Sequence, residues 1–178
     1  MWAKVEGASI TELIPRPKAM TIGDVQYPHN IFNLWSATDL RGLGVYPVVM
    51  DTTNRKDPKY YTNTNVTYAV VGDEVKGTYG TAVAQDLASL KTRKKSAINN
   101  NANSLLQNYD WYTLRAASGG TAIPSTVTTY QAAVRTKANS MCTQIDAAAN
   151  VDALAALYVY NSDDPPVRPL GEWPSKPS

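Results

Sequence analysis

Side chains able to do chemistry are few in this chain, and their spacing is poor. Histidine occurs once, at His29, and cysteine once, at Cys142. A hydrolytic triad needs a nucleophile, a histidine and an orienting acid. His29 lies between Pro28 and Asn30, and no glycine-flanked serine forms a nucleophile elbow. A zinc site takes three or four Cys, His or carboxylate ligands at close spacing, and the sequence has no such cluster. Asp163-Asp164 is a carboxylate pair, but it adjoins Pro165 in a proline-rich segment where water keeps both acids ordinary. Gly119-Gly120 lacks the following Lys-Ser/Thr of a phosphate loop. Cys142, beside Met141, reads as a small buried residue with no nearby base to make it a thiolate. The expectation is a protein that is not an enzyme, with no catalytic residue, metal or cofactor.

Charge points the same way. Lys91-Thr92-Arg93-Lys94-Lys95 carries four cations in five residues, but successive helical positions point around the circumference and cannot share one groove. A solvated helix face is expected. The net charge of +2 gives no basis for nucleic acid or an anionic membrane as partner. Lys4 and Glu6 interrupt the first residues before any apolar run forms, so no signal peptide is expected. No stretch reaches the roughly 18 apolar residues that would span a bilayer. A single cysteine excludes an intrachain disulfide and points to folding in a reducing compartment. Apolar residues make up 43% and charged residues 18%, enough to bury a core in one domain or one domain with an appendage. Eleven Tyr and four Trp stand against one Phe, rings with a polar handle that suit half-wet contacts.

The elements that would position these groups change character near Gly80. Before it the pattern is β. Trp2–Glu6 and Ile10–Ile14 flank Gly7-Ala8-Ser9, Thr21-Ile22 and Val25–Tyr27 flank Gly23-Asp24, and Thr67–Val71 and Glu74–Lys76 flank Gly72-Asp73: three hairpins. Ser36-Ala37-Thr38-Asp39 has the form of a capping box for a short helix carrying Leu40. Val45–Val49 reads as a strand, and Pro47 predicts that it lies at a sheet edge. Tyr60 and Tyr61 are the anchors of a polar loop from Asp51 to Asn65. After Gly80, Val83, Leu87, Leu90, Ile98, Leu105 and Tyr109 keep helical spacing, and Val127, Tyr130, Val134, Met141 and Ile145 make a second apolar stripe capped by Ser125. Asn150 restarts a short helix. From Asp163, five prolines exclude helix. The predicted fold is α+β: a β-hairpin-rich unit over residues 1–80, a helical hairpin over 81–162 and an extended proline-rich arm over 163–178. Leu170 and Trp173 make that arm a docking strap, with Trp173 as its anchor on the β unit or on a neighbouring subunit.

Between the two long helices, Asp110, Trp111, Tyr130 and Arg135 collect around one turn. They are expected to form a structural corner or a partner contact, the corner pinned by an aromatic and by Arg135 reaching Asp110 or a carbonyl at the preceding helix end; burial of the Trp111 ring would mark the structural reading.

The same residues carry a resemblance. Asp110-Trp111, a loop, Pro124, then Tyr130-Gln131-Ala132-Ala133-Val134-Arg135 resembles the Asp-Trp … Pro … Tyr-Arg-x-x-Leu-Arg pattern of tailed-phage tail-fibre assembly proteins and tail assembly chaperone domains. Tyr27-Pro28-His29-Asn30-Ile31-Phe32, Trp35, Leu40 and Gly44-Val45-Tyr46-Pro47-Val48 are similar to the N-terminal halves of small phage tail-region proteins. Gln131 stands where that pattern has Arg, Val134 where it has Leu, and the insert before Pro124 is longer. The resemblance implies a non-enzymatic protein that binds the tail fibre or baseplate, as a virion component or as an assembly factor. Its location would be the virion tail region, or the host cytoplasm during assembly. Its partners would be other tail proteins, with homo-oligomerisation left open. The alternative is a receptor- or glycan-binding module stacking sugars on exposed Tyr60, Tyr61 and Trp side chains.

Overall fold

The computed structural model describes residues 1–177, which form two compact units, Met1–Val83 and the chain from Ala84 onward. The architecture is mixed α+β, with nine strands through Ala84 and four of six helices after it among the described residues.

In the first unit, β1 (Trp2–Glu6) and β2 (Ser9–Ile14) form a hairpin, as do β3 (Met20–Ile22) and β4 (Val25–Tyr27). Two short helices follow, α1 (Ile31–Leu34) and α2 (Ala37–Gly42), then β5 (Val45–Asp51) and β6 (Tyr61–Thr62). The third hairpin joins β7 (Val66–Val71) to β8 (Glu74–Tyr79), and β9 (Val83–Ala84) ends the strand-rich part. Five strands form one sheet in the order β2-β1-β5-β8-β7, antiparallel except for the β5–β8 pair. It curls until its edge strands, β2 and β7, approach each other.

Residue alternation along β1 divides the packing. Trp2 joins a cluster of Ile14, Met20, Ile31, Phe32, Leu40 and Val45 on one face. Ala3 and Val5 join Val75, with Tyr46, Val48, Tyr68 and Val70 packed around them, on the other. Side chains of successive strand residues point to opposite faces, so a single strand serves both clusters.

The Ser36 capping box forms as the motif predicts: the Asp39 amide donates to Ser36 Oγ at 3.1 Å, and the Asp39 carboxylate accepts from the Ser36 amide. Gly44 follows with φ of +78°, and a Cβ there would lie 2.7 Å from the Val5 carbonyl. Only glycine fits that turn and that approach.

Pro47 does not mark an edge strand. β5 is the central strand of the sheet. Its two ladders use different stretches: β1 pairs with Val45–Pro47, β8 with Val48–Asp51. Val48 donates its amide to Met1 on the β1 side. Alternation therefore turns the Pro47 nitrogen to the other side, where β8 has not yet begun to pair, and no ladder bond is lost.

The second unit holds α3 (Leu87–Gln107), α4 (Asp110–Ala117), α5 (Ser125–Ala147) and α6 (Val151–Ala156). Val83 does not begin the helical run; it is an exposed residue of β9, and α3 starts after Asp86, whose side chain accepts from the Ser89 amide at 2.6 Å. Asn99-Asn100-Asn101 does not interrupt α3, because Ile98 and Ala102 on either side of the run are buried. Packing overrides the local preference of asparagine for turns. Ser125 is not the cap of α5. Pro124 holds that position, its carbonyl accepting from Val127 and Thr128, with Ser125 as the first helical residue.

Candidate functional site

α3 and α5 run antiparallel and pack against each other. Lys95 pairs with Asp146 at 2.8 Å at one end, and the Tyr109 and Tyr130 rings meet edge to face at 5.2 Å at the other. α5 turns Val127, Tyr130, Gln131, Val134, Ala138, Met141 and Ile145 inward, the repeat of three and four that buries one stripe of a helix. The basic cluster is tied into the same unit: Lys91 donates to the Asp146 carbonyl, Arg93 to Gln85, and Lys94 sits over the Tyr158 ring. Cys142 is half-buried, and burial pushes its thiol up, away from the thiolate.

The four residues expected to form a corner are only partly brought together. Tyr130 is buried, and burial pushes its phenol up. Its aromatic partner is Tyr109, the last residue of the first apolar stripe and not one of the four expected corner residues, and not Trp111. Asp110 does not lie at the end of α3. The chain leaves helical geometry at Tyr109 (φ −117°, ψ 0°), and Asp110 opens the separate helix α4, where an acid complements the helix dipole.

Trp111 is not buried. It is 50% exposed, lying against Tyr112 with ring centroids 3.7 Å apart and under the Arg115 guanidinium at 4.9 Å. Arg135 is exposed and pairs with neither Asp110 nor any other acid among the described residues. Five residues separate it from Tyr130, which is about 140° around α5 and about 7.5 Å along it, so it points away from the corner.

α4 thus has an unusual environment. None of its eight residues is buried, and besides Trp111 it holds out Leu114 at 68% exposure. Its end is firmly made: Gly119, at φ +80°, donates to Ala116 and Gly120 to Arg115. A second exposed pair lies in the first unit. Leu34 is 74% exposed and Trp35 41%. Trp35 packs edge-on against Tyr27 at 5.8 Å, beside a shallow groove lined by Leu34, Trp35, Thr38, Asp39, Gly42 and Leu43.

No protein-family model, curated protein or solved structure matches the chain. Its chemistry is therefore read from these side chains alone. Among the described residues, no three His, Cys, Asp or Glu are grouped to hold a metal ion. No described helix is long and apolar enough to cross a membrane. His29 and the Asp163-Asp164 pair are exposed.

Two further expectations change. Tyr60 and Tyr61 are buried, at 6% and 8% exposure, so neither ring offers a face for stacking a sugar. The burial also raises the Tyr60 phenol. The C-terminal segment lies along α5 in its own helical unit: Glu172 and Pro174 line one groove with Ala132, Ala133, Thr136, Lys137 and Ser140. Pro174, Ser175 and Pro177 line another with Ser125, Thr126, Thr129 and Tyr130. Its anchor is Leu170, which is fully buried and whose amide donates to the Leu157 carbonyl at 3.0 Å; Trp173 is only half-buried. Arg168 and Tyr160 both grip Glu172, at 2.8 and 2.9 Å.

Proposed function

We propose that this chain is a non-enzymatic tail-region protein of a tailed phage, binding the tail fibre or baseplate as a virion component or assembly factor. The resemblance around Asp110-Trp111, Pro124 and Tyr130 supports it, as do Tyr27 and Trp35 in the first unit. The observation that carries it is where the tryptophans of that resemblance stand. Trp35 with Leu34, and Trp111 with Leu114, are held at the surface. Core packing cannot be the reason for an aromatic that the core does not use, whereas half-exposed tryptophan is the side chain most enriched at the centres of protein contacts. The Leu34–Trp35 pair, beside a groove, is the surface assigned to the tail protein.

Co-purification tests this. Tagged chain expressed with candidate fibre and baseplate proteins of the same phage should retain one of them. Leu34→Ser with Trp35→Ala should abolish retention while leaving the melting temperature within a few degrees. Mass spectrometry of purified particles then separates the two roles: a stoichiometric amount marks a virion component, absence an assembly factor. Retention of no tail protein, with the chain also missing from particles, refutes the assignment.

A further inference from the structure

Asp110, Leu114, Trp111 and Arg115 occupy one side of α4. At 3.6 residues per turn they follow one another, in that order, across an arc of about 140°. The two apolar side chains stand in the middle, with the carboxylate at one edge and the guanidinium at the other. Neither charge has an opposite partner among the described residues. They cannot satisfy each other, because ion pairs along a helix form at a spacing of three or four residues and these are five apart. Arg115 is nonetheless held in place, its guanidinium 4.9 Å from the Trp111 ring centroid and 5.1 Å from that of Tyr112.

An occupant of this patch must present an apolar centre, an acid for Arg115 and a base for Asp110. A uniformly acidic or basic partner meets one attraction and one repulsion. The patch itself has the required pattern. We infer that its occupant is a second copy of this chain, an inference that rests on treating exposed apolar pairs as contact surfaces. A twofold axis laid along the line from Trp111 to Leu114 sets each of these against its own copy. The same axis exchanges Asp110 with Arg115, so two reciprocal ion pairs flank the apolar centre, as an isologous interface requires. α4 is only about 12 Å long, and four side chains fall short of the roughly 800 Å² per partner of a standard interface. The dimer is accordingly weak, concentration-dependent and sensitive to salt.

Sedimentation velocity on the full chain over a concentration series tests it. The wild type should move from monomer towards dimer as concentration rises. Asp110→Arg alone and Arg115→Asp alone each set like charges across the twofold axis and should weaken association at least about tenfold. The combined Asp110→Arg/Arg115→Asp chain restores both pairs with their signs exchanged, and its dimer should return. Circular dichroism on each variant checks that the fold is kept. A wild type monomeric throughout the series overturns the inference, as does a dimer indifferent to the single reversals. Capture by the tail protein, measured on the same variants, separates this from the functional assignment. Capture that survives loss of the dimer supports both. Capture absent from a dimeric wild type strikes the assignment alone. Reversals that abolish capture by a chain monomeric at all concentrations make the tail protein the occupant and exclude the second copy.

Discussion

α4 and α5 flank the same glycine loop, and both show apolar residues at helical spacing, yet they are used in opposite ways. α5 buries seven residues and α4 none. The difference comes from what lies opposite each helix. α5 runs beside α3 for most of its length, while Tyr109 breaks the chain before α4, which has no comparably extensive packing partner among the described elements and buries none of its residues. A two-turn helix is marginal by itself in water. α4 persists because its ends are held: Asp110 in its first turn complements the dipole, and the Gly119 and Gly120 amides close its last. Identical periodicity therefore marks core in one helix and surface in its neighbour.

This contrast can be broken first on the α5 side. Met141 is fully buried, so Met141→Ala should cost about 2–5 kcal/mol in urea unfolding, the range for truncating a buried residue of this size. A loss below about 1 kcal/mol would mean that the α3–α5 seam is not the core of this unit. Leu170→Ala comes next. Leu170 is fully buried as well, but the proline-rich segment carrying it can shift to fill the space, so the cost should sit near about 2 kcal/mol. Trp173→Ala should cost less than Leu170→Ala; the reverse order would restore Trp173 as the anchor.

Acid should act on the α3–α5 pair through Asp86. Hydrogen bonds from Ser89, the backbone amide foremost, hold its carboxyl below the usual carboxylate range. A group whose folded pKa is depressed stabilises above its unfolded value, about 3.9, and loses that contribution as the pH falls through its folded value. Asp86→Asn keeps a capping oxygen without the charge, so its melting temperature should fall less between pH 7 and pH 3 than that of the wild type. Equal falls would remove Asp86 from the acid response.

Local signals in the sequence were legible, and signals that depend on a neighbour were not. The capping box at Ser36 and Asp39 and the hairpin turns at Gly7, Gly23 and Gly72 are decided within a few residues, and they form as the residue types predict. Pro47 was read as an edge residue because its missing donor was known, but not which side of β5 it faces; the pairing of Val48 with Met1 decides that, 47 residues away in the chain. Trp111 was read as part of a structural corner because it lies two positions after Tyr109, near a helix end. Its exposure follows from the break at Tyr109, a residue with no obvious breaking signal, since Asn108 beside it caps α3 through Ser104. Arg135 was placed near Asp110 by closeness in sequence to Val134, whereas the circumference of α5 turns it outward. Trp173 was read as the anchor of the tail ahead of Leu170 because its ring is the larger apolar group, whereas the full burial of Leu170 and its hydrogen bond to Leu157 reverse that order.

The central claim is that α4 is kept for contact and contributes little to the stability of the fold, and one measurement addresses it directly. Urea unfolding of Trp111→Ala/Leu114→Ala beside the wild type should show a loss below about 1 kcal/mol. That is the size of two surface truncations together with the cation–π contact of Arg115. A loss of about 3 kcal/mol or more, as for residues of a packed core, would contradict it and place Trp111 and Leu114 in the interior of the folded chain.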